Sequence, residues 1–368
     1  MLFVRLEKLK EGMRLAKPIY NKKGVLLYDR NSKLTSQGIE SVRNFGIIGL
    51  YILEPAEPLP PMSEEDIEFE KFFIVSTFVI QDEMKIIRDG NKPQALENLV
   101  TQIIKRYGRL DHKVNFVQSL RTREDTHAKH ALNSAILCAM LSHQMNIKLS
   151  EQHDTVVAAL LHNIGLLDLP DELQMSSGAN DEESRNTIQR ALMSGVHLIE
   201  NATSDMPSVK RIAGQAIREI GDFRNGRASD TSGKQYDGGK ILKVASVFDD
   251  MTAMNDYDEP SSEISALRFL MKNYEAFDPD VVDALTKSIN ILVPGCSVEL
   301  SSGEKALVIN ENTSDILKPI VLSFSTNTII DLGQELIYGN LYIKDVMKTM
   351  DNRCVIDPDA LKNFGKMS

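Results

Sequence analysis

Three kinds of hydrophobic patterning follow one another along the chain. Residues 1–53 alternate in short bursts: LFVRL (2–6) reads as a strand, PIYNKKGVLLY (18–28) as a hairpin turning at Asn21 to Gly24, and IIGLYIL (47–53) as a further strand. Between them Thr35 is placed to cap a short helix through Ser41, because its hydroxyl accepts an orphan backbone N–H, and Gly46 ends the turn. The segment EPAEPLPPMSEED (54–66) carries four prolines and several acids, a composition that resists helix and sheet and reads as a linker. From Glu68 to about Leu285 apolar residues recur at spacings of three and four, as at Ala131, Ala135, Cys138, Ala139 and Ser142. Asp154 to His162 is apolar on nearly every face and predicts a central buried helix. The run FFIVSTFVI (72–80) reads either as core or as a dimer seam. Beyond residue 294 short strands return: SVELSSGEKALVI (297–309) is a hairpin around Ser302-Gly303, PIVLSF (319–324) a third strand, and the polar stretch from Asp351 a loose tail.

The pattern therefore predicts a mainly α chain: a small N-terminal α/β domain (1–53), a Pro-rich linker (54–66), a helical domain (67–293), and a C-terminal β-hairpin extension with its tail (294–368). A length of 368 residues agrees with two or three folding units rather than one. No run of about 18 apolar residues occurs, so no membrane insertion is expected. The opening MLFVRLEKLKEGM is too interrupted by charge to be a signal peptide. Cys138, Cys296 and Cys354 stand far apart, with neither a zinc nor a disulfide spacing, as expected of a reduced, cytoplasmic protein. A net charge of −10 argues against binding a nucleic-acid polymer, but it leaves room for a small anionic ligand in a local arginine cluster.

Candidate chemistry concentrates in AALLHNIGLLDLP (158–170), where a buried apolar helix ends in His162-Asn163, followed by Gly165 and Pro170. Upstream, His130 opens the helix HALNSAILCAML (130–141). A His–Asp doublet on a buried helix, joined by histidines from neighbouring helices, is a sound metal cage: the carboxylate bridges divalent cations, imidazoles fill other positions, and bound water becomes a nucleophile near neutral pH. Here the doublet reads His-Asn.

In these phrases the chain resembles the HD-GYP family, the cyclic di-GMP phosphodiesterases of the HD superfamily. LKEGMRLAKPIY (9–20) and GVLLYDRNSKLT (24–35) are similar to the small domain that often precedes an HD-GYP domain. His130 to Pro170 is similar to the stretch from the first histidine through HDIGK, KILKVASVFDDMTA (240–253) to the later helix, and VPGCSVELSSGEKALVINEN (293–312) to the C-terminal extension. The resemblance implies an HD-type helical bundle with two appended small units. It also implies a set of metal-site positions, of which His130 and His162 match. The doublet's aspartate is Asn163, the following lysine is Leu166, a later histidine is Ala191 (followed by Gly195), the paired histidines are Ile220 and Gly221, and the late-helix aspartate is Ser246. Ala228, Ser229 and Asp230 stand in place of GYP.

Two dications held close together need anionic charge to offset their repulsion, and both carboxylate positions of that set are neutral here. The expectation is thus a catalytically inactive, degenerate HD-GYP protein with no metal, or iron or manganese if any. It would serve as a signalling or interaction scaffold whose partner is a protein of a bacterial signalling or motility system. Two alternatives stay open: a cyclic di-GMP sensor that does not hydrolyse its ligand, and a phosphodiesterase with an atypical metal site. His130 and His162 are either a residual mononuclear site, helped by His127, Asp125 or Asp168, or hydrogen-bonded core histidines. Asn163 reads as a buried amide bonded to His130 or to backbone. Arg218, Arg224 and Arg227 form either a phosphodiester-binding cluster or a solvated loop.

Overall fold

The computed structural model describes residues 2–21, 25–53, 64–116, 118–170, 173, 181–228, 233–254 and 260–346. The N-terminal unit contains β1 (Leu2–Arg5), β2 (Arg14–Leu15), β3 (Ile19–Tyr20), β4 (Leu26–Tyr28), α1 (Ser36–Asn44) and β5 (Gly49–Leu53). β5 is central in an antiparallel sheet of order β1-β5-β2, with Leu2 opposite Ile52. β3 and β4 form the expected hairpin, and its turn residues 22–24 lie outside the described residues. Thr35 caps α1 by accepting from the Gly38 N–H at 3.0 Å. Gly46 adopts φ 66°, a left-handed turn that costs a glycine nothing. Val42, Leu50 and Ile52 close a small core between helix and sheet.

The expected linker (54–66) needs correction at its end. Residues 54–63 lie outside the described residues, but 64–66 belong to α2 (Glu64–Arg88). Glu64, Glu65 and Asp66 occupy its first turn, where acidic side chains offset the unpaired N–H groups and the positive end of the helix dipole. Within the FFIVSTFVI run Phe72, Phe73, Thr77 and Ile80 are buried, so its inner face is core, while Val75 points outward.

The helical domain continues with α3 (Leu96–Tyr107), α4 (Thr126–Gln144), α5 (Leu149–Leu161), a 3-10 turn (Ile164–Asp168), α6 (Glu182–Ala202), α7 (Pro207–Arg224), α8 (Asp237–Thr252), α9 (Glu263–Lys272) and α10 (Pro279–Ser288). α4 is buried at every residue from Ala131 to Ser142, and α5 from Thr155 to Leu161. These two helices and α8 form the centre of the bundle, which explains why their sequences are apolar all round. The turn after α5 is held by contact between backbones. A β-carbon on Gly165 would lie 2.0 Å from the Ala191 carbonyl oxygen, and one on Gly195 would lie 2.6 Å from Gly165 N. Only glycine lets α6 approach the end of α5 this closely.

The C-terminal unit is larger than the expected hairpin. β6 (Ser297–Leu300), β7 (Lys305–Asn310), β8 (Ile320–Ser323), β9 (Ile329–Asp331) and, after the short α11 (Glu335–Tyr338), β10 (Ile343–Val346) make a five-stranded antiparallel sheet of order β10-β6-β7-β8-β9. Gly303 turns β6 into β7 with φ 81°. β10 is short and irregular in register, so its alternation is too brief to stand out in the sequence. The expected loose tail lies outside the described residues.

Candidate functional site

His130, one turn into α4, meets His162, the C-cap of α5, at the centre of the bundle. Their Nε2 atoms are 3.1 Å apart. Each ring is fixed from its far side: His130 Nδ1 contacts Asp249 Oδ2 at 2.7 Å, and His162 Nδ1 donates to the Ala159 carbonyl at 2.7 Å. Ser246 Oγ closes a triangle, 3.2 Å from His130 Nε2 and 3.5 Å from His162 Nε2.

Sequence reasoning missed the carboxylates. Asp249 and Asp250, near the end of α8, both face His130, and the three side chains could together offer donor atoms to a metal ion. The two matched positions, Asn163 and Ser246, are neutral, but the next turn of α8 supplies acids. Their only signal was an Asp-Asp pair closing an otherwise apolar helix.

These acids are already engaged. Asp249 is fully buried and bonded by Arg121 Nη2 to both oxygens (2.8 and 2.7 Å), by Asn133 Nδ2 (2.7 Å) and by Gln118 Nε2 (2.9 Å). Burial alone would raise its pKa, but Arg121 and His130 outweigh it and hold the carboxyl well below the usual range. Asp250 is bridged by Arg224 at 2.6 Å and lies 3.3 Å from His130. The two carboxylates are thus matched by two guanidiniums. Burial opposes a charge on His130, yet Asp250 and Asp249 together raise its pKa above the ordinary imidazole value. His162 behaves oppositely: burial, reinforced by the neighbouring His130, lowers it to about 3. The contacts fit a proton between the two Nε2 atoms: His162 gives its Nδ1–H to Ala159, which leaves its Nε2 bare to accept from His130, while His130 Nδ1 donates to Asp249.

The other expected residues fall as follows. Asn163 donates from Nδ2 to the His127 carbonyl at 2.9 Å, the backbone bond expected for it, while its Oδ1 is buried without a hydrogen-bond partner. His127 is buried beside the site, yet it belongs to no metal-ligand group among the described residues. Asp125 pairs with Lys129 at 2.7 Å and Asp168 is exposed, so neither helps the histidines. Ala191 presents its carbonyl to Gly165, Ile220 lines the cleft, and Gly221 packs against Gln189. Of the arginine cluster only Arg224 reaches the cleft. Arg218 is exposed, and Arg227 lines a separate groove with Lys240 and Lys243. The three do not converge because they leave α7 and its following loop on different sides; residues 229–232 of that loop lie outside the described residues.

The cleft over the histidines holds about 90 Å³, walled by Leu166, Ile188, Leu192, Ile217 and Met254. That is room for about three waters at liquid density, well below the roughly 300–1,000 Å³ of pockets that enclose drug-sized molecules. A dinuclear centre does not fit these residues. Two dications would enter a site whose acids are neutralised by Arg121 and Arg224 and whose remaining donors are imidazoles, a hydroxyl and an amide.

The chain's architecture is thus a helical bundle in which two histidines meet at the junction of α4, α5 and α8. Residues 110–281 match the HD domain family. Among curated proteins, the chain is 21% identical over 296 residues to the cyclic di-GMP phosphodiesterase PA4108 of Pseudomonas aeruginosa, covering 78% of this chain and 71% of that protein. It is 23% identical over 173 residues to the 3'3'-cGAMP-specific phosphodiesterase 2 of Vibrio cholerae, covering 46% of this chain and 33% of that protein. Among solved structures, Bd1817, a HDG"Y"P protein from Bdellovibrio bacteriovorus, aligns with a TM-score of 0.45 at 13% identity, over 77% of this chain and 97% of that one. No helix among the described residues is long and apolar enough to cross a membrane.

Proposed function

We propose that this chain is a catalytically inactive HD-domain protein that acts by binding a protein partner in a cytoplasmic, cyclic di-GMP-related bacterial signalling or motility system. The observation that carries the reading is the charge balance of the centre. Its two carboxylates are spent on Arg121 and Arg224, and the positions that the HD-GYP resemblance assigns to acids hold Asn163 and Ser246. Without net negative charge the cleft has no means of gathering two metal ions to activate water. The small cleft supports the same reading, since a cyclic dinucleotide exceeds it.

A second reading rests on a different observation. Both imidazoles are anchored through Nδ1 and present their Nε2 atoms to each other, an arrangement that suits two ligands of one divalent cation, with Asn163 Oδ1 left over as an oxygen donor. One weakly held iron or manganese ion would then occupy the point where the shared proton now lies.

Metal analysis of protein purified from cells, combined with a cyclic di-GMP hydrolysis assay, tests both. The first reading expects well under one metal equivalent and no turnover. About one equivalent without turnover favours the second, and two equivalents with turnover overturn both. Calorimetric titration with cyclic di-GMP should give no heat, and affinity capture should return a reproducible protein partner.

A further inference from the structure

A cavity beside the N-terminal domain is separate from the histidine cleft. About 520 Å³ opens between that domain, α2 and the stretch preceding α4. Its walls are chiefly apolar, with Ile19, Phe45, Ile47, Phe69, Phe73 and Ile74 contributing. The size and lining are those of sites that hold small organic molecules. Hydrogen-bonding capacity on the walls is unspent: Glu70 Oε2 and Ser119 Oγ are out of reach of solvent and have no partner.

The lysines around the cavity are already engaged. Lys129 is paired with Asp125 at 2.7 Å. Lys17 Nζ is spent on the Gln118 carbonyl; burial lowers its pKa to about 8 and raises that of Glu70. A charged ligand would have to compete with the existing partners of these lysines and would lose its hydration. An uncharged molecule with an apolar body would lose little.

One wall is shared with the histidine cleft. Ser119 and Leu120 line the cavity, and the flanking Gln118 and Arg121 hold Asp249 on the other side. The cavity's two lysines grip the backbone of this same stretch: Lys17 Nζ donates to the Gln118 carbonyl, and Lys129 Nζ to the Leu120 carbonyl at 2.5 Å. A molecule that displaces either lysine, or bonds to Ser119, moves the residues that set the position of Asp249 and hence of His130.

We propose that this cavity is a regulatory binding site for a small, uncharged, largely apolar molecule bearing a hydrogen-bonding group, and that its occupancy is transmitted to His130 through residues 118–121. The proposal does not depend on whether the histidine cleft binds metal.

The test uses the full chain and the uncharged fluorophore N-phenyl-1-naphthylamine. Saturable binding with blue-shifted emission is expected, at one site per chain. Ile74→Trp, which fills the cavity from a half-buried position, should weaken binding at least tenfold. Phe45→Glu, at the exposed rim, should weaken it as well and serves if Ile74→Trp melts early by circular dichroism. In NMR spectra the imidazole signals of His130, identified by their loss in His130→Gln, should shift on saturation, while those of the distant, exposed His197 should not. Absence of saturable binding, undiminished binding by both folded variants, or an unmoved His130 signal would each overturn the proposal.

Discussion

His162→Gln isolates the energetic consequence of burying a neutral histidine beside a second imidazole. In the folded chain His162 is lowered to about 3, by burial first and by His130 second, whereas an unfolded chain titrates it near 6.5. Below about pH 6.5 the unfolded state therefore binds a proton that the folded state refuses. Stability must fall as pH drops through that value and keep falling toward pH 3. Between pH 7.5 and pH 5 the expected loss from this one group is about 2 kcal/mol. Glutamine is chosen because its amide oxygen can still accept from His130 Nε2 but cannot titrate. The variant should be less stable than the parent at pH 7.5, because the bond to the Ala159 carbonyl is lost, yet it should lose about 2 kcal/mol less on going to pH 5. Urea unfolding followed at 222 nm at both pH values measures the difference, and exposed histidines cancel in the comparison. If parent and variant lose equal stability on acidification, His162 is not held neutral in the fold, and the shared-proton description of the pair is wrong.

Four further outcomes follow from the same geometry. His130→Gln should show the opposite sign to His162→Gln: its raised pKa means stability present below about pH 6.5 and lost as pH rises through the folded value, so this variant should be penalised most at low pH. Arg121→Met leaves the buried Asp249 carboxylate without its cation and should cost about 3–5 kcal/mol in urea unfolding, partly recovered in Arg121→Met/Asp249→Asn. Gly195→Ala drives a methyl group into the Gly165 backbone and should lower Tm by several degrees, whereas Gly233→Ala, with open space around it, should not. Asn163→Asp combined with Ser246→Asp adds two acids beside the imidazoles and should raise the metal content on purification toward one equivalent; a folded double variant with unchanged metal content would count against the charge-balance argument.

Sequence patterning exposed the helices and the pair His130 and His162 because both depend on local signals. An all-apolar segment such as 154–162 has only one place to go in a bundle, and the histidine that ends it must lie near the centre. The same logic failed where partners are set by tertiary contact. Arg121 and Gln118 lie in a stretch without periodicity, and nothing local says that they reach α8, more than a hundred residues later, to hold Asp249. Arg218, Arg224 and Arg227 illustrate the converse error. Proximity in sequence suggested a cluster, but a helix ending at Arg224 sends successive side chains in different directions, so only one of them meets Asp250. The start of α2 was misplaced for another reason: a run of acids reads as solvated linker until its position at a helix N-terminus is known.

The polar residues of the centre fall into two separable sets. Asp249 fastens the stretch 118–121 to α4 and α8, with three donors besides His130, so removing its charge or its cation disturbs three elements at once. That role is structural and holds whether or not a metal is bound. Positions 163 and 246, which the HD-GYP resemblance assigns to acids, carry neutral side chains with partners of their own. Asn163 Nδ2 donates to the His127 carbonyl, where an aspartate would set a carboxylate against a carbonyl oxygen, and Ser246 Oγ reaches both imidazoles without adding charge to a buried site. The shape of the bundle can therefore be stabilised by Asp249 and its partners whatever positions 163 and 246 carry. A binding role then requires only that shape, together with a wall at 118–121 thin enough for events in the neighbouring cavity to be felt at His130.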